Sequence, residues 1–450
     1  MLRRILPAVA AACAGLLVVA GPALAGAGSG SSGFGGGGGG GGGFSGGGGG
    51  SSGFGGSGGT GGSFLDFLIV IVVIGVVFFG SAIGAMVTGW RLDKKRKARD
   101  ARVRTASAEA AEDDPYFAAD LVTADAVALF VACQTAWDQR DRQALAGLVG
   151  TDLLAEWTRR LDDFDAKGWH NTVQVQREPE CLYVGITNRE DDTEDRVVVR
   201  IAALMRDVVV TDTGQELFRD GAKAAVVSVA EYWTLARLGD RWIVVSIETD
   251  KEGAHNLSAP IVASPWSDTE RLRDEAYVEQ AAADAVPEGT KVGELVDVDF
   301  AADARAAAND LSLVDGRFAP AVLEAAARRA VAGWAEAVDG PDDALAAVAT
   351  PAAMQELLYP GDDGQATRLV VRGPQVQAVR IVGLDAQAEP PAMTIEADVR
   401  GRRYIENRDT VALVSGSRDR EVTFTERWVL GLDGADDTPW RIRSVATVRA

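Results

Sequence analysis

Two histidines, His170 and His255, and three cysteines, Cys13, Cys133 and Cys181, are all that 450 residues contain. This scarcity excludes a His-rich metal site, a matched histidine relay and a disulfide framework. No CxxC pair occurs, so Cys133 and Cys181 read as reduced thiols in a reducing compartment, and each histidine defaults to a solvated or hydrogen-bonded role. A P-loop and any metal-ligand spacing are also missing, and G-x-S-x-G occurs only within the low-complexity Gly/Ser tract, so no cofactor, no metal and no catalytic residue is expected. Positive charge is scarce over most of the chain. Residues 105–450 hold 35 basic against 62 acidic residues, net −27. Such a polyanion repels phosphate backbones, so no nucleic-acid partner is expected, and attraction to basic partners is the easier case.

What the chain does have is a long uncharged run. Phe67 to Val87 carries no charge over 21 residues, and as a helix it reaches ~32 Å, about the thickness of a bilayer's hydrocarbon core. Only Asp66 precedes it closely, whereas Arg91 to Arg104 holds 8 basic and 2 acidic residues, including Lys94, Lys95, Arg96, Lys97 and Arg99. The positive-inside rule then places the rest of the chain in the cytoplasm of a single-pass cell-membrane protein. Gly80 and Gly84 form a GxxxG within the span, a small-residue face for packing helices and for a homo-oligomer. Residues 1–25 read as a signal peptide, with Arg3 and Arg4 ahead of an apolar run and Ala23-Leu24-Ala25 as the cleavage pattern. Residues 26–63 are a Gly-rich linker, 25 of 38 being glycine, a flexible coil spanning ~35 Å outside the membrane.

The organisation that follows is residues 64–90 as the transmembrane helix, 91–114 as a basic collar and polar linker, 115–250 as a first domain, 251–315 as a connector with a helix, and 316–450 as a second domain. In the first domain, apolar residues of Phe117 to Gln139 recur at three- and four-residue steps, Asp141 opens a short helix, and Thr151 starts a third that runs to about Lys167. From Asn171 the preference switches to strands, with Leu238-Gly239-Asp240 joining the last two as a hairpin. The second domain repeats the first. Trp137 corresponds to Trp334 at an offset of 197, Val184 to Val382 at 198, Trp233 to Trp428 at 195 and Trp242 to Trp440 at 198. Trp233 and Trp428 are expected to be equivalent core residues, each packing its sheet against its own helices, with Arg427 facing out.

These residues carry a resemblance. The helix ending in Ala136-Trp137-Asp138, the segment Asp141 to Leu148, the helix Leu153 to Leu161 and the hairpin Tyr232 to Val244 resemble a bacterial membrane-anchored Tim44-like domain protein, of the NTF2-like fold class. The resemblance covers about Pro115 to Glu248 well and Gly316 to Ala450 more faintly. It implies an α+β fold of two tandem cones, each with helices first and then a curved antiparallel sheet. It also implies non-enzymatic work: the family's mitochondrial namesake is a membrane-associated scaffold that brings an Hsp70 motor to an import channel. Recruitment of a protein partner to the inner membrane face is therefore the expected function. The alternative is a membrane-tethered small-molecule-binding or isomerase-like NTF2 fold. For that alternative the pocket candidates are Asp163, Asp165, Tyr183, Glu231, Tyr404 and Glu426.

Overall fold

The computed structural model describes residues 90–218, 225–265, 298–435 and 439–445. The leader, the Gly-rich tract, the membrane span with Gly80 and Gly84, and the connector's expected helix, read from the polar, alanine-rich stretch Asp268 to Ala285, lie outside the described residues.

Where the sequence reads as a basic collar and polar linker, the structure has one helix, α1, over residues 90–113. Its buried positions are Arg96, Arg99, Val103, Ser107 and Ala110, a three- and four-residue spacing that lines one helical face. The charge run hid this face because two of its members are arginines. Arg99 Nε donates to the Val184 carbonyl at 2.7 Å, and the Tyr183 N–H donates to Asp100 Oδ1 at 2.8 Å. Both partners sit on an edge strand, so α1 satisfies backbone groups that would otherwise be open to another strand. Arg96 pairs with Asp93 and Asp250. Lys94, Lys95 and Lys97 stay exposed. Replacing Arg99 by alanine is expected to cost about 1 to 3 kcal/mol and to expose α1 to cleavage. Limited trypsin digestion checks this, and an unchanged cutting rate within 91–104 would show that α1 is not held through Arg99.

After a 3-10 turn at Pro115–Phe117 come α2 (Ala119–Asp138), α3 (Arg142–Ala146) and α4 (Thr151–Lys167). Asp141 caps α3 by accepting from the Ala144 N–H. Gly168, at φ 66°, closes α4 in the left-handed conformation that glycine adopts without strain. The first sheet contains β1 (His170–Val175), β2 (Glu180–Thr187), β3 (Arg196–Val210), β4 (Glu216–Phe218), β5 (Val226–Leu238) and β6 (Arg241–Thr249). Its order is β1-β3-β5-β6, with β2 and β4 also paired to β3. All these pairings are antiparallel, and register shifts at Tyr183/Gly185 and Thr234/Leu235 bend the sheet around the helices. The buried side of α2 packs Phe130 and Trp137 into this core, with the Phe130 and Trp233 rings 5.1 Å apart.

A second set of elements follows in similar order: β7 (Val298–Phe300), α5 (Ala302–Ser312), α6 (Pro320–Ala337), α7 (Asp343–Val348), α8 (Pro351–Leu358), β8 (Thr367–Asp385), β9 (Ala392–Asn407), β10 (Leu413–Gly416), β11 (Val422–Leu432) and β12 (Trp440–Val445). The second sheet runs β12-β11-β9-β8-β7, with β10 also on β9. Residues 298–312, within the stretch read as a connector, join this sheet and its helices: β7 pairs parallel with β8, and Val298, Ala304 and Ala308 belong to the second core. The long β8 covers the span that β1 and β2 share in the first sheet. His170 lies opposite Val210 and Thr367 opposite Asn407; both differences, 367 − 170 and 407 − 210, are 197. Phe117 meets Trp242 edge-on at 5.6 Å, and Phe318 meets Trp440 in the same way at 5.6 Å. Each sheet closes its own large apolar cluster.

Candidate functional site: a charged seam between the two sheets

Between the two apolar cores lies a layer of buried charge. Near the end of the first sheet, β6 carries Glu248, and the 3-10 turn Glu252–Leu257 that follows carries Glu252, His255 and Asn256. Facing them are Asp339, just past α6, and Arg372, Arg402 and Tyr404 on β8 and β9. Glu248 accepts from His255 Nε2 at 2.9 Å and from Asn256 Nδ2 at 3.0 Å. Arg372, fully buried, donates to Asp339 Oδ1 at 2.9 Å, to the Asp339 carbonyl at 2.7 Å and to the Ile247 carbonyl at 3.4 Å. Ser246 Oγ donates to that same Asp339 carbonyl at 2.8 Å. Gly373, at φ 58°, leaves room for the His255 ring: a Cβ there would lie 2.7 Å from His255 Cγ.

Two further groups of contacts extend the seam. Tyr404 donates its hydroxyl to Glu252 Oε1 at 3.1 Å, and Thr249 Oγ1 donates to Glu252 Oε2 at 2.7 Å. Arg408 Nε donates to Glu156 Oε1 at 2.7 Å, Arg159 meets Asp409 at 2.7 Å, and the Asp342 N–H donates to Asp152 Oδ2 at 3.0 Å. Each of these bonds, except the one from Thr249, joins residues of the first set of elements to the second.

Titration in the seam follows from burial and mutual charge. Burial alone would lower His255, but the facing carboxylate of Glu248, with Asp339 behind it, raises it to about 9. Burial pushes Asp339 up, to about 6, and the Glu248 charge adds to this against Arg372 and His255. Burial opposes ionised Glu248, yet His255 and Arg372 hold it below the usual carboxylate range. Because His255 is raised in the folded chain, its contribution is complete below its ordinary value of 6.5 and disappears as pH climbs through about 9. Thermal melts are therefore expected to lose stability between those limits, by at most on the order of 3 kcal/mol, and His255→Gln should remove that part of the slope. An identical slope in the variant would assign the titration elsewhere.

The residues singled out from sequence as pocket candidates do not converge. Asp163 pairs with Lys167 on α4, and Asp165 binds Arg140 and Arg142. Glu231 accepts the Trp233 indole N–H at 3.0 Å inside the first core. Glu426 meets Arg403 at 3.5 Å, and burial raises its pKa against that arginine. Tyr404 alone belongs to the seam, where burial, and then Glu252, pushes its hydroxyl up. Tyr183 is fully buried with a hydroxyl that meets no partner, and burial and then Asp195 raise it.

Among the described residues two groups of side chains have the donor types for a metal. Glu248, His255 and Asp339 form one, but Arg372 already holds Asp339 and brings a positive charge into it. Asp114, Asp192 and Asp195 form the other, beside the guanidinium of Arg237 at 3.5 Å from Asp114. Sequence reading missed the seam because its members come from six separate segments with no shared spacing. The one available signal was a clustering of Glu and His around the end of β6.

A bent antiparallel sheet with its helices leading defines an α+β class. Residues 103–249 match the Tim44-like domain family, and this part of the chain is a Tim44-like domain. The match takes in the second part of α1, from Val103, and all of the first sheet, and ends before the second. Among solved structures, the intermembrane space region of chloroplast protein ARC6 is similar at 11% identity and a TM-score of 0.23, over 28% of this chain and 95% of that one. An Ntf2 like protein involved in plasmid conjugation is similar at 7% identity and a TM-score of 0.15, over 69% of this chain and 87% of that one. No curated protein matches the chain. Among the described residues one helix, α2, is long and apolar enough to cross a membrane. Its inner face holds the core of the Tim44-like domain.

Proposed function

We propose that the chain is a membrane-anchored, non-enzymatic scaffold that presents two tandem Tim44-like, NTF2-like cones at the cytoplasmic face of the cell membrane and recruits a protein partner there. The observation that carries this reading is the Tim44-like domain at residues 103–249. The docking of α1 supports it, because the helix leaving the expected membrane span is fastened to the first sheet through Arg96, Arg99 and Asp100 and so fixes the domain relative to its anchor. The common offset of paired residues in the two sheets supports duplication. The charged seam supports a single rigid platform.

A second reading, small-molecule binding by the first cone, draws on Tyr183 and Asp195. Both are buried, each has an oxygen without a hydrogen-bond partner, and burial raises Asp195 to about 6. Two experiments test the scaffold reading. A cytoplasm-only reporter fused after Ala450 should be active, and activity of an export-dependent reporter there would overturn the topology. Affinity capture with the full chain from solubilised membranes should recover a stoichiometric protein partner. Recovery of none, together with saturable small-molecule binding lost in Asp195→Asn, would favour the second reading.

A further inference from the structure

Helix α2 has two apolar faces, and the first core uses one of them. Val122, Ala126, Leu129, Phe130, Cys133 and Trp137 point inward. On the outside Ala124, Ala128 and Val131 are exposed, Val127 is half-buried, and no charged residue occurs between Asp125 and Asp138. Helices apolar all round are ordinarily covered on every side. Here the outer face opens on a groove of about 770 Å³, floored by Ala124, Val127, Ala128 and Val131 and walled by Glu178 and Cys181. Alanine and valine make a low floor, so the space suits bulkier side chains arriving from a partner. Burial pushes Cys181 up to about 12, so its thiol is an inert part of the wall.

Charge around the groove decides among occupants. Asp120, Asp125, Glu178 and Glu180 are exposed beside it, against Arg104 and Arg177, and Arg104 meets Asp120 at 3.3 Å. A second copy docked face to face would bring these carboxylates together. Residues 268–285 of the chain itself, with six acidic and two basic residues, have the wrong sign. A positively charged partner has the right one, and it would also be steered by the net −27 of residues 105–450.

We infer that this groove is the docking site for an amphipathic helix of a partner protein, one with a seam of large aliphatic residues flanked by lysine or arginine. The inference rests on the scaffold reading and names the surface that serves it. Large side chains would fill the channel over Ala124 and Ala128, and the basic flanks would face Asp125, Glu178 and Glu180.

The test uses the full chain in nanodiscs of zwitterionic lipid and a fluorescent 14-residue leucine/lysine helical peptide as probe, with a leucine/glutamate peptide of the same apolar seam as control. The variant Ala128→Lys with Val131→Lys changes only exposed positions, and lysine is a good helix former, so the fold should persist, which its thermal melt checks. The account expects the leucine/lysine peptide to bind the wild-type chain at least about tenfold more tightly than the variant, and Asp125→Asn with Glu178→Gln to weaken it and flatten its salt dependence. The leucine/glutamate peptide should not bind. Equal affinity for wild type and variant, equal binding of both peptides, or a wild-type dimer that the lysine variant abolishes would overturn it. The same variant separates this inference from the scaffold reading. A partner captured equally by wild type and variant keeps the scaffold and removes the groove, whereas a chain that captures no partner loses the scaffold.

Discussion

Replacing Arg372 by methionine is expected to destabilise the chain by about 3 to 5 kcal/mol, the usual cost of leaving a buried charge without its partner. Arg372 is fully buried and makes three hydrogen bonds in the seam, two to Asp339 of its own set of elements and one to the Ile247 carbonyl of the first. Without the guanidinium, Asp339 and Glu248 are left with His255 as the cation that they share. A methionine of similar reach fills the space, so the loss is electrostatic rather than a cavity. Changing Asp339→Leu in the same background should recover part of it, because an apolar pair of similar volume no longer leaves a carboxylate stranded. Urea denaturation of the single and double variants checks both statements. A double variant as unstable as the sum of the singles would show that the two residues do not act as a pair.

The tryptophans are expected to give a loss of the same size by a different route. Trp233 and Trp428 have no exposed surface; Trp233 packs against Phe130, and Trp428 lies 5.4 Å from Trp334. Truncation to alanine leaves a void among β-sheet and helix residues that cannot collapse into it, at about 3 to 5 kcal/mol. Arg427, the neighbour of Trp428, is half-buried and meets Glu396 at 3.7 Å on the other face of the sheet, so strand alternation places only the tryptophan in the core. A melting temperature unchanged in both variants would remove these residues from the core.

Much of the secondary structure could be read from residues alone. The helix from Thr151 to Lys167 stands where its pattern puts it, and strands begin at His170, one residue before the switch in preference at Asn171. Their signals are local, as period and capping are set by neighbours in sequence. β4, only three residues long, was missed because Glu216–Phe218 is ordered by pairing with β3, not by its own preference. α1 reads as a linker for a related reason: Arg96 and Arg99 look like solvated charge until Asp250 and the Val184 carbonyl are seen beside them. Of the seam, only Tyr404 and the Glu and His that follow β6 leave a trace in the sequence. A buried arginine looks like any surface arginine in a sequence, and the partner that makes burial tolerable, 33 residues away for Arg372 and Asp339, leaves no periodic trace.

The seam makes the two sets of elements one body, and that is the claim on which a rigid membrane platform depends. Unfolding the first set would strand Arg372, Tyr404 and Arg408 without Ile247, Glu252 and Glu156, so the second should not outlast it. Scanning calorimetry of the full chain in detergent, for wild type, Trp233→Ala and Trp428→Ala, tests this most directly. The account predicts one main transition for the described residues, lowered to a similar extent by either substitution. Two separated transitions, the first moved only by Trp233→Ala and the second only by Trp428→Ala, would contradict it.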